Sequence, residues 1–248
     1  MKKTKIAISI DKPLLDLIDS KVDGSVIRSR SQAIEFFLRK GVGEQTIKQA
    51  VMMVHRRDFN LLLKPFNGVT LIRKQLDFLN DNKISTLYII TVKNDKIDLL
   101  KKEISNSKVE VKLIFEKESK GTASCLNQIK DYIKNDFIVM NGDTYNNFNL
   151  IKMINKHTAT NKIATMGLIT SSEPSKYMSV TLEGDSVIFV KDKQKTGYII
   201  NAGIYVFNPE IFNYTKNTKS LEIEVLPKLT QTNALQGYFT YGEYKHFS

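Results

Sequence analysis

Three short, almost purely apolar runs constrain this chain more than any other feature: Ala50-Val51-Met52-Met53-Val54, Leu87-Tyr88-Ile89-Ile90-Thr91-Val92 and Phe137-Ile138-Val139-Met140. A run of four to six such residues has no polar side to turn to water. Both of its faces must be covered, as in the strands of a parallel sheet. Segments of helical period lie between the runs. Leu71 to Leu79 places Leu71, Ile72, Leu76 and Leu79 on one face, and Lys96–Ile104 and Ala123–Ile133 read as further helices. Val109–Phe115 reads as a fourth strand. Strands alternating with helices predict an α/β fold around a mostly parallel, Rossmann-like sheet, which binds ligands outside the carboxyl ends of its strands. The third run ends in Asn141-Gly142-Asp143. That spacing brings the Asp143 carboxylate through Gly142 to the ligand edge, where it could hold a divalent cation for phosphoryl chemistry. The same Gly-Asp pair is also ordinary turn chemistry.

The first 45 residues read differently. Lys5 to Ile10 alternate, with Ile6, Ile8 and Ile10 on one side, which predicts a short strand. This also argues against reading MKKTKIAISI as a signal peptide. Asp11 caps a helix with Pro13 in its first turn and an apolar face of Leu14, Leu15, Leu17 and Ile18. Val22 to Ser25 interrupts it. Ser29 or Ser31 can cap a second helix from Arg30 to Gly41, with Ala33, Ile34, Phe37 and Leu38 on its buried face. Strand, helix and helix in about 40 residues are too few to bury a core, and a lone strand leaves both edges unpaired. A homodimer in which two strands pair antiparallel would satisfy both needs. The segment resembles the ribbon-helix-helix DNA-binding family through KIAISIDKPLLDLID and SRSQAIEFFLRKGV. The resemblance implies double-stranded DNA as partner. Lys5, Ala7 and Ser9 would face bases, Lys3 would lie near phosphates, and Arg30 and Ser31 would grip a phosphate at a helix start. Ala7 departs from the usual polar reader. The net charge of +11 suits a polyanion, although solvated surface lysines explain it as well. The alternative is a module that serves dimerisation alone; Lys2, Lys3, Lys5, Arg28 and Arg30 cluster where phosphates would lie, which favours DNA.

From about Gln49 onward the chain resembles the sugar-phosphate nucleotidyltransferases, the group of glucose-1-phosphate thymidylyl-, uridylyl- and mannose-1-phosphate guanylyltransferases. The matching blocks, in order, are LKPFNGVTLIRKQL, KGTASCLNQI, DFIVMNGDT, VIFVKDK, YIINAGIYVF and LEIEVLPKL. The resemblance implies an N-terminal domain over 1–45 and a nucleotidyltransferase domain over 46–248. It puts Lys64 and Asp143 in catalysis, with Asp143 on a Mg²⁺ ion. Gly121 and Thr122 would lie against the base. Asp192, Asn201 and Glu222 would meet sugar hydroxyls, Lys193 a phosphate, and Gly142 the ligand edge.

Three departures weaken that assignment. The family's Gly-rich triphosphate loop is replaced by Val54-His55-Arg56-Arg57-Asp58, which has no bare backbone to wrap phosphates. Arg56 and Arg57 could supply charge without that geometry. His246 stands where a second metal-binding aspartate is expected, and so near the end of the chain it reads as frayed. The family's usual C-terminal assembly domain has no counterpart in the blocks matched here, so its assembly surfaces are expected to be missing. Losing such electrostatic elements costs about 10²–10³-fold in rate apiece. The sequence therefore favours a DNA-binding regulator whose large, catalytically impaired domain binds a sugar phosphate or nucleotide. The alternative is an active sugar-1-phosphate nucleotidyltransferase with a dimerising arm; association beyond a dimer stays open. The lone Cys125 forms no internal disulfide and no apolar run approaches the ~18 residues of a membrane helix, which fits the cytoplasm. Cys125 reads as buried filler, His157 as a surface residue, and Tyr238, Tyr241 and Tyr244 as a strand rim.

Overall fold

The computed structural model describes residues 6–22, 27–41, 47–116, 121–160, 162–192 and 197–248. The chain divides into two compact units, residues 1–44 and 45–248. In the first, Asp11 caps α1 (Lys12–Asp19) by accepting the Leu14 amide at 2.9 Å, and the Ser29 hydroxyl accepts the Gln32 amide at 3.3 Å at the start of α2 (Arg30–Gly41). Residues 6–10 join no β-ladder, so the expected strand is not formed within one chain. A strand is completed only by a neighbour for its amides and carbonyls, and no other segment of the described unit supplies one. Ala7, Ser9 and Ser31 are exposed, and Lys3 and Lys5 lie outside the described residues. Arg30 does not present a free guanidinium: it forms a two-pronged pair with Asp19, at 2.7 and 2.6 Å.

The second unit begins with β1 (Gln49–Met53), α3 (Phe59–Leu62), the two-residue strands β2 (Pro65–Phe66) and β3 (Val69–Thr70), α4 (Leu71–Asp81), β4 (Thr86–Val92), α5 (Ile97–Ile104) and β5 (Glu110–Glu116). It continues with α6 (Thr122–Asn127), β6 (Phe137–Asn141), β7 (Thr144–Asn147), α7 (Leu150–Thr158), β8 (Ala164–Thr170), β9 (Met178–Glu183), β10 (Ser186–Asp192) and β11 (Ile199–Phe207). α8 (Ile211–Thr215), α9 (Leu226–Gln231), β12 (Leu235–Phe239) and β13 (Glu243–His246) complete it. The main sheet runs β5-β4-β1-β6-β11-β8-β12-β10-β9. Its first four strands are parallel, as the apolar runs require. β11 is antiparallel to β6 and β8, and β10 to β9 and β12, so the sheet is mixed rather than mostly parallel. β9 and β10 follow one another through a tight connection at Gly184-Asp185, which only antiparallel strands can use.

Side-chain alternation explains why the central strands are apolar throughout. Val51, Met53, Tyr88, Ile90, Phe137 and Val139 pack on one face with α6, α8 and α9. Ala50, Met52, Leu87, Ile89, Ile138 and Met140 pack on the other with α4, α5 and α7. Each large side chain fully buried in this way is worth about 1.5–3 kcal/mol. β1 has β4 on one side and β6 on the other, although the chain reaches β6 only after β5. The direction in which successive strands are laid down therefore reverses between β1 and β6, and this opens a crevice at their carboxyl ends.

Three expectations need correction. α6 stops at Asn127, followed by a single 3₁₀ turn at Lys130–Tyr132, because Asn127 and Ser124 turn their side chains to the Thr215 and Thr218 carbonyls. His157 is not on the surface: it is 2% exposed, its Nδ1 is 2.8 Å from the Thr165 hydroxyl, and Gln236 donates to that same hydroxyl. His246 is not frayed. β13 pairs antiparallel with β7, His246 opposite Thr144, and the next residue, Phe247, is buried against Phe66 with its amide on the Asp143 carbonyl at 2.8 Å. Of the three late tyrosines, Tyr238 and Tyr244 pack against the core on β12 and β13, whereas Tyr241 is exposed.

Candidate active site

A cavity of about 280 Å³ opens where β1 and β6 part. Met53, the last residue of β1, and Val54 line it from that strand's end. Asn141, Gly142 and Asp143 enter from β6, Gly121 and Thr122 from the start of α6, and Glu116 from the end of β5. Gly142 lets these strand ends meet: its amide donates to the Met53 carbonyl at 3.2 Å, and a Cβ there would stand 2.8 Å from the Val54 side chain. Gly121 has φ +102°, and a Cβ on it would lie 2.3 Å from the Lys219 carbonyl oxygen. Only glycine allows α6 to start so close to that backbone.

A second cavity of about 300 Å³ adjoins the first, and Asn141 and Glu222 line both. Its other walls include Lys176, Tyr177, Asn201, Ser220 and His246. Glu222 is held in place: its Oε2 accepts from the Thr122 hydroxyl at 2.7 Å and the Ser220 hydroxyl at 3.0 Å. The Thr122 oxygen also accepts the Leu221 amide at 2.9 Å. Asn201 sits at an irregularity of β11, its Oδ1 accepting the Gly203 amide at 3.0 Å and its Nδ2 donating to the Tyr205 hydroxyl.

Asp143 stands beside the junction of the cavities. Its Oδ1 is buried and has no hydrogen-bond partner, and its Oδ2 lies 3.5 Å from His246 Nε2. The contact with Asp143 holds the imidazole above its ordinary pKa, against the effect of burial, and the charges of Asp143 and Asp58 add to it. Burial raises the Glu116 carboxyl, while a hydrogen bond from Gln128 and the proximity of His55 work in the other direction. Among the described residues, four carboxylates, of Asp58, Glu116, Asp143 and Glu222, line the first cavity with one guanidinium, that of Arg57. The described lining is thus acidic in a chain of net charge +11.

The structure brings Gly121, Thr122, Gly142, Asp143, Asn201 and Glu222 together around the two cavities. Lys64 lines neither. It is exposed, with Nζ 5.9 Å from the ring of Phe247, because it follows the last turn of α3 on the side of the Phe66, Tyr145 and Phe247 cluster. Asp192 ends β10, and Lys193 lies outside the described residues. Sequence reasoning missed Glu116, Asp58, Tyr177 and Ser220. Glu116 was within reach, since it ends a strand of the parallel half as Asn141 does, and the rule that led to Asp143 applies to it.

A family model described as Nucleotidyl transferase matches residues 59–243. The chain belongs to the nucleotidyl transferase family. A Sulfolobus acidocaldarius protein named as a mannose-1-phosphate guanyltransferase is 29% identical over 184 residues, covering 72% of this chain and 51% of that protein. The mannose-1-phosphate guanylyltransferase catalytic subunit beta of Drosophila melanogaster is 32% identical over 142 residues, covering 54% of this chain and 38% of its own. The chain thus spans about half or less of the length of these curated relatives. In fold it is similar to HddC from Yersinia pseudotuberculosis (TM-score 0.69, 21% identity, 81% of this chain and 93% of that one). It is similar also to the inositol-1-phosphate CTP transferase from T. maritima (TM-score 0.68, 15% identity, 82% and 90%).

These findings overturn the expectation of a DNA-binding regulator. The named relatives are mannose-1-phosphate guanylyltransferases, and the family model falls on the large unit. The departures that had argued for lost catalysis look different in three dimensions: His246 is docked beside Asp143, and the segment replacing the Gly-rich loop contributes Arg57 and Asp58 to the cleft. Among the described residues, no helix is long and apolar enough to cross a membrane.

Nucleotidyl transfer implies a divalent cation. Among the described residues, no group of three or more His, Cys, Asp or Glu side chains gathers into a ready-made metal site. The donor set suits a Mg²⁺ ion that arrives with phosphate: such ions commonly take one or two carboxylates and complete their shell with phosphate oxygens and water. Asp143 offers the hard oxygen, with one buried carboxylate oxygen lacking any other partner.

Proposed function

We propose that this protein is a sugar-1-phosphate nucleotidyltransferase, forming an NDP-sugar and pyrophosphate from a nucleoside triphosphate and a sugar-1-phosphate. The observation that carries the reading is the pair of cavities sharing Asn141 and Glu222, with Asp143 beside the junction. The first has the strand-edge position of a nucleotide site, and the second has the hydroxyl, amide and carboxylate lining of a sugar site. The named relatives' chemistry agrees with it.

In this reaction a phosphate oxygen of the sugar-1-phosphate attacks the α-phosphorus, and the bond to pyrophosphate breaks. No covalent bond to the protein is needed, so the protein contributes orientation and charge. Glu222, tied on one oxygen by Thr122 and Ser220, keeps the other free to accept sugar hydroxyls. Asn201 and Tyr177 shape the same cavity. Arg57 offers charge at the mouth of the nucleotide cavity. Asp143 would hold the Mg²⁺ ion, which when bound would neutralise phosphate charge beside the carboxylates of the described lining. Release of pyrophosphate from a panel of triphosphates and sugar-1-phosphates with Mg²⁺ tests the reading. Turnover that Asp143→Asn lowers about 10²-fold or more is expected, and silence of the wild type across the panel refutes it.

We read the first unit as a self-association arm of ribbon-helix-helix type. Ile6, Ile8, Leu14, Leu17, Phe36, Phe37 and Leu38 are exposed on it, more apolar surface than so small a unit leaves bare alone. Sedimentation of the full chain should show a dimer that Ile8→Asp weakens; an unchanged monomer in both would refute the arm.

A further inference from the structure

We infer that the nucleotide cavity selects guanine, and that Glu116 makes the choice. The inference rests on the proposal that this cavity holds a nucleotide. The cavity follows the carboxyl ends of the strands from β6, across β1, to β5 at the edge of the sheet. Its β6 end carries Asp143 and adjoins the second cavity through Asn141 and Glu222, so the phosphates that react must lie there. A nucleotide with its phosphates at β6 directs its base toward β5, where the strand ends in Glu116. Met53, Val54 and Cys125 supply apolar surface for a flat ring along the way.

Glu116 is 9% exposed. Its Oε1 accepts from Gln128 Nε2 at 2.8 Å, and its Oε2 has no hydrogen-bond partner among the described residues. Gln128 therefore fixes the carboxylate without satisfying it. An ionised carboxylate only accepts. Among the common bases, only guanine turns two adjacent donors, N1–H and the N2 amine, along its pairing edge. Uracil and thymine present one donor between two carbonyl oxygens, and cytosine and adenine present a donor beside a bare ring nitrogen. Each of these would direct a lone pair at a buried anion. A site built to hydrogen-bond one partner rejects the analogue that leaves its polar group unpaired far more strongly than a shape mismatch does. Guanine alone pairs with the carboxylate through both of its donors.

Calorimetric titration of the full chain in Mg²⁺ with GTP, inosine triphosphate, UTP, dTTP, CTP and ATP tests this, using the wild type and Glu116→Gln. GTP should bind about tenfold or more tightly than the other common triphosphates. Inosine triphosphate, which lacks only the N2 amine, should fall about tenfold below GTP, the cost of one bond to a charged acceptor. Glu116→Gln should lose about tenfold or more for GTP and close the gap to UTP, because its amide donates where the carboxylate could not. Nucleotide binding with no guanine preference overturns the inference and leaves nucleotidyl transfer standing. A Glu116→Gln variant that keeps the preference does the same. No triphosphate binding by the wild type sinks both readings. Should the variant fail to fold, the comparison of inosine triphosphate with GTP on the wild type decides.

Discussion

Replacing Thr122 by valine isolates the tie between the two cavities. Valine matches threonine in shape, so it opens no void and removes only the hydroxyl. That hydroxyl donates to Glu222 at 2.7 Å and accepts the Leu221 amide at 2.9 Å. A hydrogen bond to a charged group contributes about 1.5–3 kcal/mol, and an amide left without its partner costs about 1–3 kcal/mol. Both ends are half-buried, and Glu222 keeps its bond from Ser220 at 3.0 Å, so the lower ends apply. The expected loss is about 2–3 kcal/mol, which for a chain of this size lowers Tm by roughly 4–12 °C. Because the loss frees a sugar-facing carboxylate rather than altering the reacting phosphates, KM for the sugar-1-phosphate should rise about tenfold with kcat changed less. Differential scanning calorimetry and pyrophosphate-release kinetics measure the two effects. Thr122→Ser, which keeps the hydroxyl, should remain close to the wild type. Thr122→Val melting at the wild-type temperature, or Thr122→Ser falling as far as Thr122→Val, would refute the reasoning.

Gly121→Ala should destabilise by about 2–4 kcal/mol, since its φ of +102° is strained for any side chain and the Lys219 carbonyl stands 2.3 Å from the new Cβ; thermal denaturation at wild-type level would contradict this. Glu103 is held below its ordinary pKa by hydrogen bonds first from Thr70 and then from Arg73. A carboxyl lowered on folding stabilises above its unfolded pKa and loses that contribution as pH falls through its folded one. Glu103→Gln should therefore cost at most about 1 kcal/mol at pH 7, the pair being partly solvated, and the difference from wild type should vanish in acid. Urea melts at neutral pH and in acid, below the carboxyl's folded pKa, give the comparison, and a gap that widens in acid would refute it.

Much of the fold was legible because its signals are local. The apolar runs at Val51, Ile89 and Val139 read as strands covered on both faces, and the spacing of Ile72, Leu76 and Leu79 as one helix face, as the structure has them. A strand ending in Gly142-Asp143 at a sheet's carboxyl edge follows from the same alternation. Sequence alone determined these, along with the cap at Asp11; between Ser29 and Ser31, which it left open, the structure uses Ser29. What it could not determine depends on groups far apart along the chain. The Thr122–Glu222 bond spans 100 residues, and the His157 site is closed by Gln236 from another strand, 71 residues beyond Thr165. His246 looked frayed because nothing near it in sequence shows that β7 lies opposite, pairing it with Thr144 beside Asp143. The strand expected before Asp11 depends on a second copy: alternation shows which side chains share a face, but a strand forms only where another backbone accepts its hydrogen bonds, and within one chain residues 6–10 join no ladder. Periodicity reports how a segment meets water. Which segments then meet one another is decided by the closing of the tertiary structure, and the site is made of such meetings.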